Sequence, residues 1–187
     1  MEINKINNLL ELFYHQYLKQ DKDDIFLENL KEPYKKFSWK DVYIKVIKVS
    51  NEISKYISKG DRCLLISENR PEWMITDLSI MVAGGITVPA YTTYTQRDYE
   101  YIIDDCSPSI IFVSDNAQYE KIKNIIPKKK FIKKVIIFDF IDELNVDLNL
   151  NINNIFKQDD YKINNFLELG IKRKDVACII YTSGTQG

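Results

Sequence analysis

A doubly wound α/β fold, with a mostly parallel sheet flanked by helices, is what this 187-residue sequence predicts, on three observations. Short continuous apolar runs recur at 63–66, 110–113 and 135–138, as expected of strands covered on both faces. Between them lie segments whose apolar residues repeat at helical spacing. Two of these segments open with a hydroxyl residue followed three positions later by an aspartate, the pattern of a reciprocal helix cap. Such alternation argues for parallel strands joined by crossover helices.

The elements follow in order. In Ser38-Trp39-Lys40-Asp41 the serine is set to cap free amides and the aspartate to reach back. Val42, Val46, Val49, Ile53 and Ile57 continue at helical spacing, and Gly60 stands where a helix stop belongs. Cys63-Leu64-Leu65-Ile66 reads as a buried strand. Pro71 opens a helix through Trp73, Ile75, Leu78 and Met81 that ends at Gly84-Gly85. Ile86-Thr87-Val88-Pro89 is the next strand, and its proline assigns it to an edge or a strand end. Thr95-Gln96-Arg97-Asp98 caps a helix carrying Tyr99, Ile102 and Ile103. A strand over 110–113, a helix over 116–126 and a strand over 135–138 continue the alternation. The segment 145–154, rich in Asn, Leu and Ile, reads either as a low-complexity surface insert or, from Val146, Leu148, Leu150 and Ile152, as a strand.

Composition excludes several classes of function. With 45% hydrophobic and 28% charged residues the chain is globular, not disordered. Its 26 basic and 27 acidic residues leave a net charge of −1, which gives no general attraction to nucleic acid or to an anionic membrane. Cys63, Cys106 and Cys178 are far apart, and Met1-Glu2-Ile3-Asn4-Lys5 does not open a secretory leader. Together these predict buried thiols in a reducing cytoplasm. His15, the single histidine, cannot anchor a zinc site alone and reads as a polar position on an N-terminal helix. No charge occurs from 78 to 96, but Gly84, Gly85, Pro89 and the hydroxyl run 91–95 predict a buried helix and strand instead of a transmembrane segment. The lysines of 121–134 alternate with Ile122, Ile125, Ile126 and Phe131, the pattern of a solvated outer face, so no nucleic-acid surface is expected there.

Chemistry is concentrated at 176–187. The apolar run Val176-Ala177-Cys178-Ile179-Ile180 leads into Tyr181-Thr182-Ser183-Gly184-Thr185-Gln186-Gly187, a turn of hydroxyls and glycines. Glycines let backbone amides converge on an anion, and hydroxyls add donors for phosphate oxygens. A turn at the carboxyl end of a strand is where open α/β sheets hold ligands. The spacing from Gly184 to Gly187 is not that of the Gly-x-x-x-x-Gly-Lys-Ser/Thr loop of nucleoside triphosphatases.

Residues 181–187 resemble the opening of the Tyr-Thr-Ser-Gly-Thr-Thr-Gly-x-Pro-Lys-Gly loop of the acyl-adenylate-forming (AMP-dependent synthetase/ligase) enzymes, with Gln186 in place of the usual threonine. Gly60-Asp61-Arg62-Cys63-Leu64-Leu65 is similar to that family's Gly-Asp-Arg-Val strand. Asn69-Arg70-Pro71-Glu72-Trp73, followed by Gly84-Gly85-Ile86-Thr87-Val88-Pro89-Ala90-Tyr91-Thr92-Thr93, is most similar to the long-chain fatty acyl-CoA synthetase branch.

The resemblance implies a two-step ligase. A long-chain fatty acid carboxylate attacks the α-phosphate of ATP, pyrophosphate leaves, and the thiol of coenzyme A (CoA) takes the acyl group. By motif match, Thr182, Ser183, Gly184, Thr185 and Gly187 bind the ATP phosphates, no catalytic residue or metal ligand falls in these residues, and Mg²⁺, ATP and CoA are the implied cofactors. The family's lysine after the glycines and its adenine-, ribose- and Mg²⁺-binding segments have no counterpart in 1–187. The chain is therefore expected to be the N-terminal portion of an AMP-binding domain, with 140–170 as a variable insert and no activity by itself. A CoA or a carrier-protein acceptor fits equally at this point, and the alternative function is a non-catalytic nucleotide- or partner-binding module. The expected location is cytoplasmic, with peripheral membrane contact allowed by the substrate.

Overall fold

The computed structural model describes residues 6–30, 34–140, 147–162, 166 and 169–182. Helix α1 (Leu9–Lys19) starts at Asn8, whose side chain accepts the Glu11 amide at 2.9 Å, and it carries His15 as expected. An antiparallel pair, β1 (Ile25–Asn29) and β2 (Lys35–Ser38), follows. Helix α2 (Trp39–Ile53) has the predicted reciprocal cap: the Asp41 amide donates to Ser38 Oγ at 3.1 Å, and the Ser38 amide donates to Asp41 Oδ2 at 3.0 Å.

The remaining elements alternate. They are β3 (Arg62–Ile66), α3 (Pro71–Val82), β4 (Ile86–Ala90), α4 (Gln96–Cys106), β5 (Ile110–Val113), α5 (Asn116–Ile122), β6 (Lys134–Ile137), β7 (Asn149–Asn151) and α6 (Ile152–Phe156). The strand order is β4-β3-β5-β6-β7 and every pairing in this sheet is parallel. The first strand, β3, thus has β4 on one side and β5 on the other, so the winding reverses there.

Side chains alternate across the sheet as a period of two requires. Leu64, Ile66, Ile111, Val113, Val135 and Ile137 pack with α4 and α5 on one face. Cys63, Leu65, Ile110, Phe112 and Ile136 pack on the other with Val49, Ile53, Ile80, Ile152 and Ile155 from α2, α3 and α6. Both faces are covered, which is why these strands are continuously apolar. A third cluster seals α1 and the β1–β2 hairpin onto α2 and α3 through Leu10, Phe13, Phe37, Val42, Val46 and Ile75.

Two expectations are corrected, and one left open is resolved. The helix over 116–126 stops at Ile122, and a short 3₁₀ turn follows at Ile126–Lys128, because Pro127 lacks an amide and disfavours helical backbone just before it. The segment 145–154 was open between insert and strand; among its described residues, β7 pairs with β6 and leads into α6. Asparagines do the fastening there: Asn151 donates to the Asp139 carbonyl and Asn153 to the Phe138 carbonyl, each at 2.9 Å.

The apolar run 176–180 makes one parallel bridge, Thr87 to Cys178, in place of a regular strand. The Thr87 amide donates to the Ala177 carbonyl at 3.2 Å and the Ile179 amide to the Thr87 carbonyl at 2.9 Å. The next bond of that ladder needs an amide from Pro89, which has none, so pairing stops after one residue. The proline therefore acts as expected, at the free side of β4. The uncharged stretch 78–96 divides between α3, a turn at Gly84 (φ +79°), β4 and a loop. No helix among the described residues is long and apolar enough to cross a membrane.

Candidate phosphate-binding site

Of the residues expected to bind phosphate, Thr182 is described and is exposed, while Ser183, Gly184, Thr185 and Gly187 lie outside the described residues. The approach to the turn is well defined. Ile179 and Tyr181 pack inward against the α4–α5 face of the sheet, while Val176, Cys178, Ile180 and Thr182 point outward. The Tyr181 hydroxyl donates to Asp105 Oδ2 at 2.5 Å, and its ring meets Tyr101 edge-on at 6.3 Å. Burial, and after it the Asp105 carboxylate, raise the Tyr181 pKa well above the ordinary phenol value, so the hydroxyl keeps its proton at neutral pH.

At the carboxyl end of β4 the chain continues into a loop from Tyr91. The loop that starts there is also held. Tyr99 donates to the Tyr91 carbonyl at 2.7 Å, and the Lys121 ammonium donates to the Thr92 and Tyr94 carbonyls at 2.6 and 3.1 Å. Several lysines of 121–134 have partners within the fold: besides Lys121, Lys129 pairs with Asp104 and Lys133 bonds the Tyr56 carbonyl.

Asn69 to Trp73 form the turn from β3 into α3, and a charge network centres on Arg70. Its Nε bonds Glu72 Oε2 at 2.9 Å, its Nη2 bonds Asp139 Oδ1 at 2.8 Å, and the guanidinium lies over the Phe138 ring. Glu72 is only 2% exposed, and Lys35 also approaches it at 3.4 Å. The network ties the end of β3 to the end of β6. A cleft of about 710 Å³, lined among others by Leu9, Leu12, Met81, Ile86 and Lys172, opens at the amino ends of β3 and β4. No group of three His, Cys, Asp or Glu that would hold a metal ion occurs among the described residues.

The thiols divide two to one, which corrects the expectation that all three are buried. Burial pushes the Cys106 thiol up to about 11 and the Cys63 thiol higher still. Cys178 is exposed, because the segment's alternation turns it outward between Ala177 and Ile179. Brief alkylation of the native protein at pH 8, followed by peptide mapping, is expected to label Cys178 while leaving Cys63 and Cys106 unmodified until denaturant is added. Equal labelling of the three would contradict this packing.

The five-stranded parallel sheet with helices packed on both faces defines the open, doubly wound α/β class, in which ligands are held outside the carboxyl ends of the strands. Residues 14–187 match the family model described as AMP-binding enzyme, and the chain belongs to that family. It is 31% identical over 161 residues to long chain acyl-CoA synthetase 3 of Arabidopsis thaliana, covering 80% of this chain and 24% of that protein. It is 24% identical over 187 residues to fatty acyl-CoA synthetase A of Dictyostelium discoideum, covering 91% and 27%. The chain thus spans about a quarter of the length of these relatives. The fold is similar to that of the anthranilate CoA ligase AuaEII in complex with anthranoyl-AMP, at a TM-score of 0.80 and 17% identity, over 100% of this chain and 35% of that one. Coronafacic acid ligase from Pectobacterium brasiliense gives a TM-score of 0.77 at 17% identity, over 94% and 33%.

Proposed function

We propose that this chain supplies the phosphate-binding turn and the supporting sheet of a long-chain fatty acid–CoA ligase. The observation that carries this reading is the family match over 14–187, which includes the Thr182–Gly187 motif, together with curated relatives that are long-chain acyl-CoA synthetases. In the first step a fatty acid carboxylate oxygen bonds to the α-phosphorus of ATP and the bond to the bridging oxygen breaks, releasing pyrophosphate. In the second, the sulfur of CoA bonds to the acyl carbon and AMP leaves. What this segment contributes is electrostatic. Amides and hydroxyls fixed around the β- and γ-phosphates hold the nucleotide in line and stabilise the charge that builds on the departing pyrophosphate.

Thr182, Ser183 and Thr185 supply hydroxyls for that role, and Gly184 and Gly187 leave room for phosphate oxygens to approach the backbone. The donor set fits a phosphate chain. Mg²⁺, when bound with ATP, neutralises phosphate charge. Long-chain acids partition into bilayers, so a cytoplasmic protein with peripheral membrane contact is the setting proposed.

The test is ATP–pyrophosphate exchange by the protein as its source organism makes it, with Mg²⁺-ATP and palmitate. Exchange that depends on the fatty acid and needs no CoA is expected, with acyl-CoA formed once CoA is added. Adenylate formation that requires a short or aromatic acid would overturn the substrate assignment. Failure to bind ATP would overturn the reading as a whole.

A further inference from the structure

We propose that Asp105 is a positioning residue for the phosphate-binding turn, acting through its hydrogen bond to Tyr181. The proposal rests on the reading of 182–187 as that turn and adds to it a residue from a different element. The edge segment has little else to fix its far end. Among the described residues its backbone joins β4 at Thr87 alone, because Pro89 supplies no amide for the next bond. From Ile179 onward the chain leading to the turn is held to α4 by side chains: Ile179 and Tyr181 on the apolar face, and the Tyr181 hydroxyl on Asp105 Oδ2 at 2.5 Å.

Asp105 is well suited to the task. It lies in the last turn of α4, and that helix is fixed at its start by the Thr95–Asp98 cap and along its length by buried Tyr99, Ile102, Ile103 and Cys106. Tyr101, on the same helix, closes the side of the Tyr181 ring edge-on. Among the described residues Asp105 makes no ion pair, so its carboxylate is committed to the tyrosine. A charged acceptor gives a stronger and more directional bond than a neutral one. Tyr181 immediately precedes Thr182, so a swing of its ring carries the start of the turn with it, and small displacements of preorganised donors weaken their hold on phosphate.

The experiment uses Tyr181→Phe, Asp105→Ala, Asp105→Asn and the double variant Tyr181→Phe/Asp105→Ala in the protein as its source makes it. Tyr181→Phe and Asp105→Ala are each expected to raise the KM for ATP about tenfold in ATP–pyrophosphate exchange while leaving the KM for palmitate unchanged. The double variant should be no worse than either single one, because both remove the same bond. Asp105→Asn, which keeps an acceptor oxygen, should recover to within about threefold of the parent. Hydrogen exchange over 177–182 should rise in the first two variants.

Faster exchange with an unchanged KM for ATP would overturn the positioning role and leave the phosphate-turn reading standing. So would an equal rise in both KM values, or additive losses in the double variant. A parent protein that does not bind ATP would remove the reading and the proposal together.

Discussion

Replacing Arg70 by alanine is expected to destabilise the protein by about 3–5 kcal/mol at pH 7, the cost of leaving a buried carboxylate without its partner. Glu72 is almost fully buried. Burial, the largest single influence, pushes its pKa up, but the bonds from Arg70, a backbone hydrogen bond and Lys35 together outweigh it and hold the carboxyl below its ordinary range. The sign follows from linkage. A folded pKa below the unfolded one means stability that is present above pH about 4.3 and is lost as pH falls through the lower folded value. In Arg70→Ala the burial penalty dominates, opposed by a backbone hydrogen bond at Glu72 and by Lys35 at 3.4 Å, and the folded pKa rises above the unfolded one. That variant should lose stability as pH rises above about 4.3, so the gap between it and the parent narrows toward acid.

Urea midpoints of both proteins at pH 5 and pH 8 test the argument. A loss below about 1 kcal/mol, or one equal at both pH values, would place the network with ordinary surface pairs. Asp139 is a useful contrast. Its side chain is 49% exposed, so Asp139→Asn should cost far less although it bonds the same guanidinium.

The sheet and its helices were legible in the sequence wherever one physical signal acted alone. Cys63 to Ile66 and Ile110 to Val113 are apolar on both faces and are buried on both faces. Ser38 and Thr95 announced their helices through side-chain chemistry that needs no tertiary partner. The misses fall where local and tertiary signals compete. The β1–β2 pair is short and half polar, and it packs onto the fold through contacts such as Phe26 stacked on Trp39 at 3.8 Å, which lie beyond any strand periodicity. Segment 145–154 was ambiguous because asparagine favours turns, yet here Asn151 and Asn153 satisfy carbonyls at the end of β6.

The candidate site was legible as a motif but not as a place. Thr182 was picked out for its hydroxyl, whereas Asp105, 76 positions from Tyr181, carries no signal until the fold brings α4 beside the edge segment. Arg70 matches a branch signature without a role assigned from sequence, and in the structure its partners, Glu72 and Asp139, close a turn. Pro89 is the instructive case. A rule about strand edges read it correctly, and the same missing amide also ends the ladder that would have made 176–180 a regular strand.

The largest functional effect is expected from Gly184→Val, which should lower fatty-acid-dependent ATP–pyrophosphate exchange at least about 100-fold. On the proposed reading of this turn, a branched side chain in place of glycine would obstruct the approaching phosphate and restrict the backbone, and weakened donors at an anion site typically cost that much. The loss should fall on kcat as well as on the KM for ATP, because charge on the departing pyrophosphate grows in the transition state. Thr182→Val removes a single hydroxyl at the entrance to the turn and should cost only about tenfold. The melting temperature should stay within about 2 °C of the parent for Thr182→Val, since Thr182 is exposed. Exchange within threefold of the parent in Gly184→Val would mean that the phosphates are held elsewhere, and that the hydroxyl- and glycine-rich turn only closes the edge of the sheet.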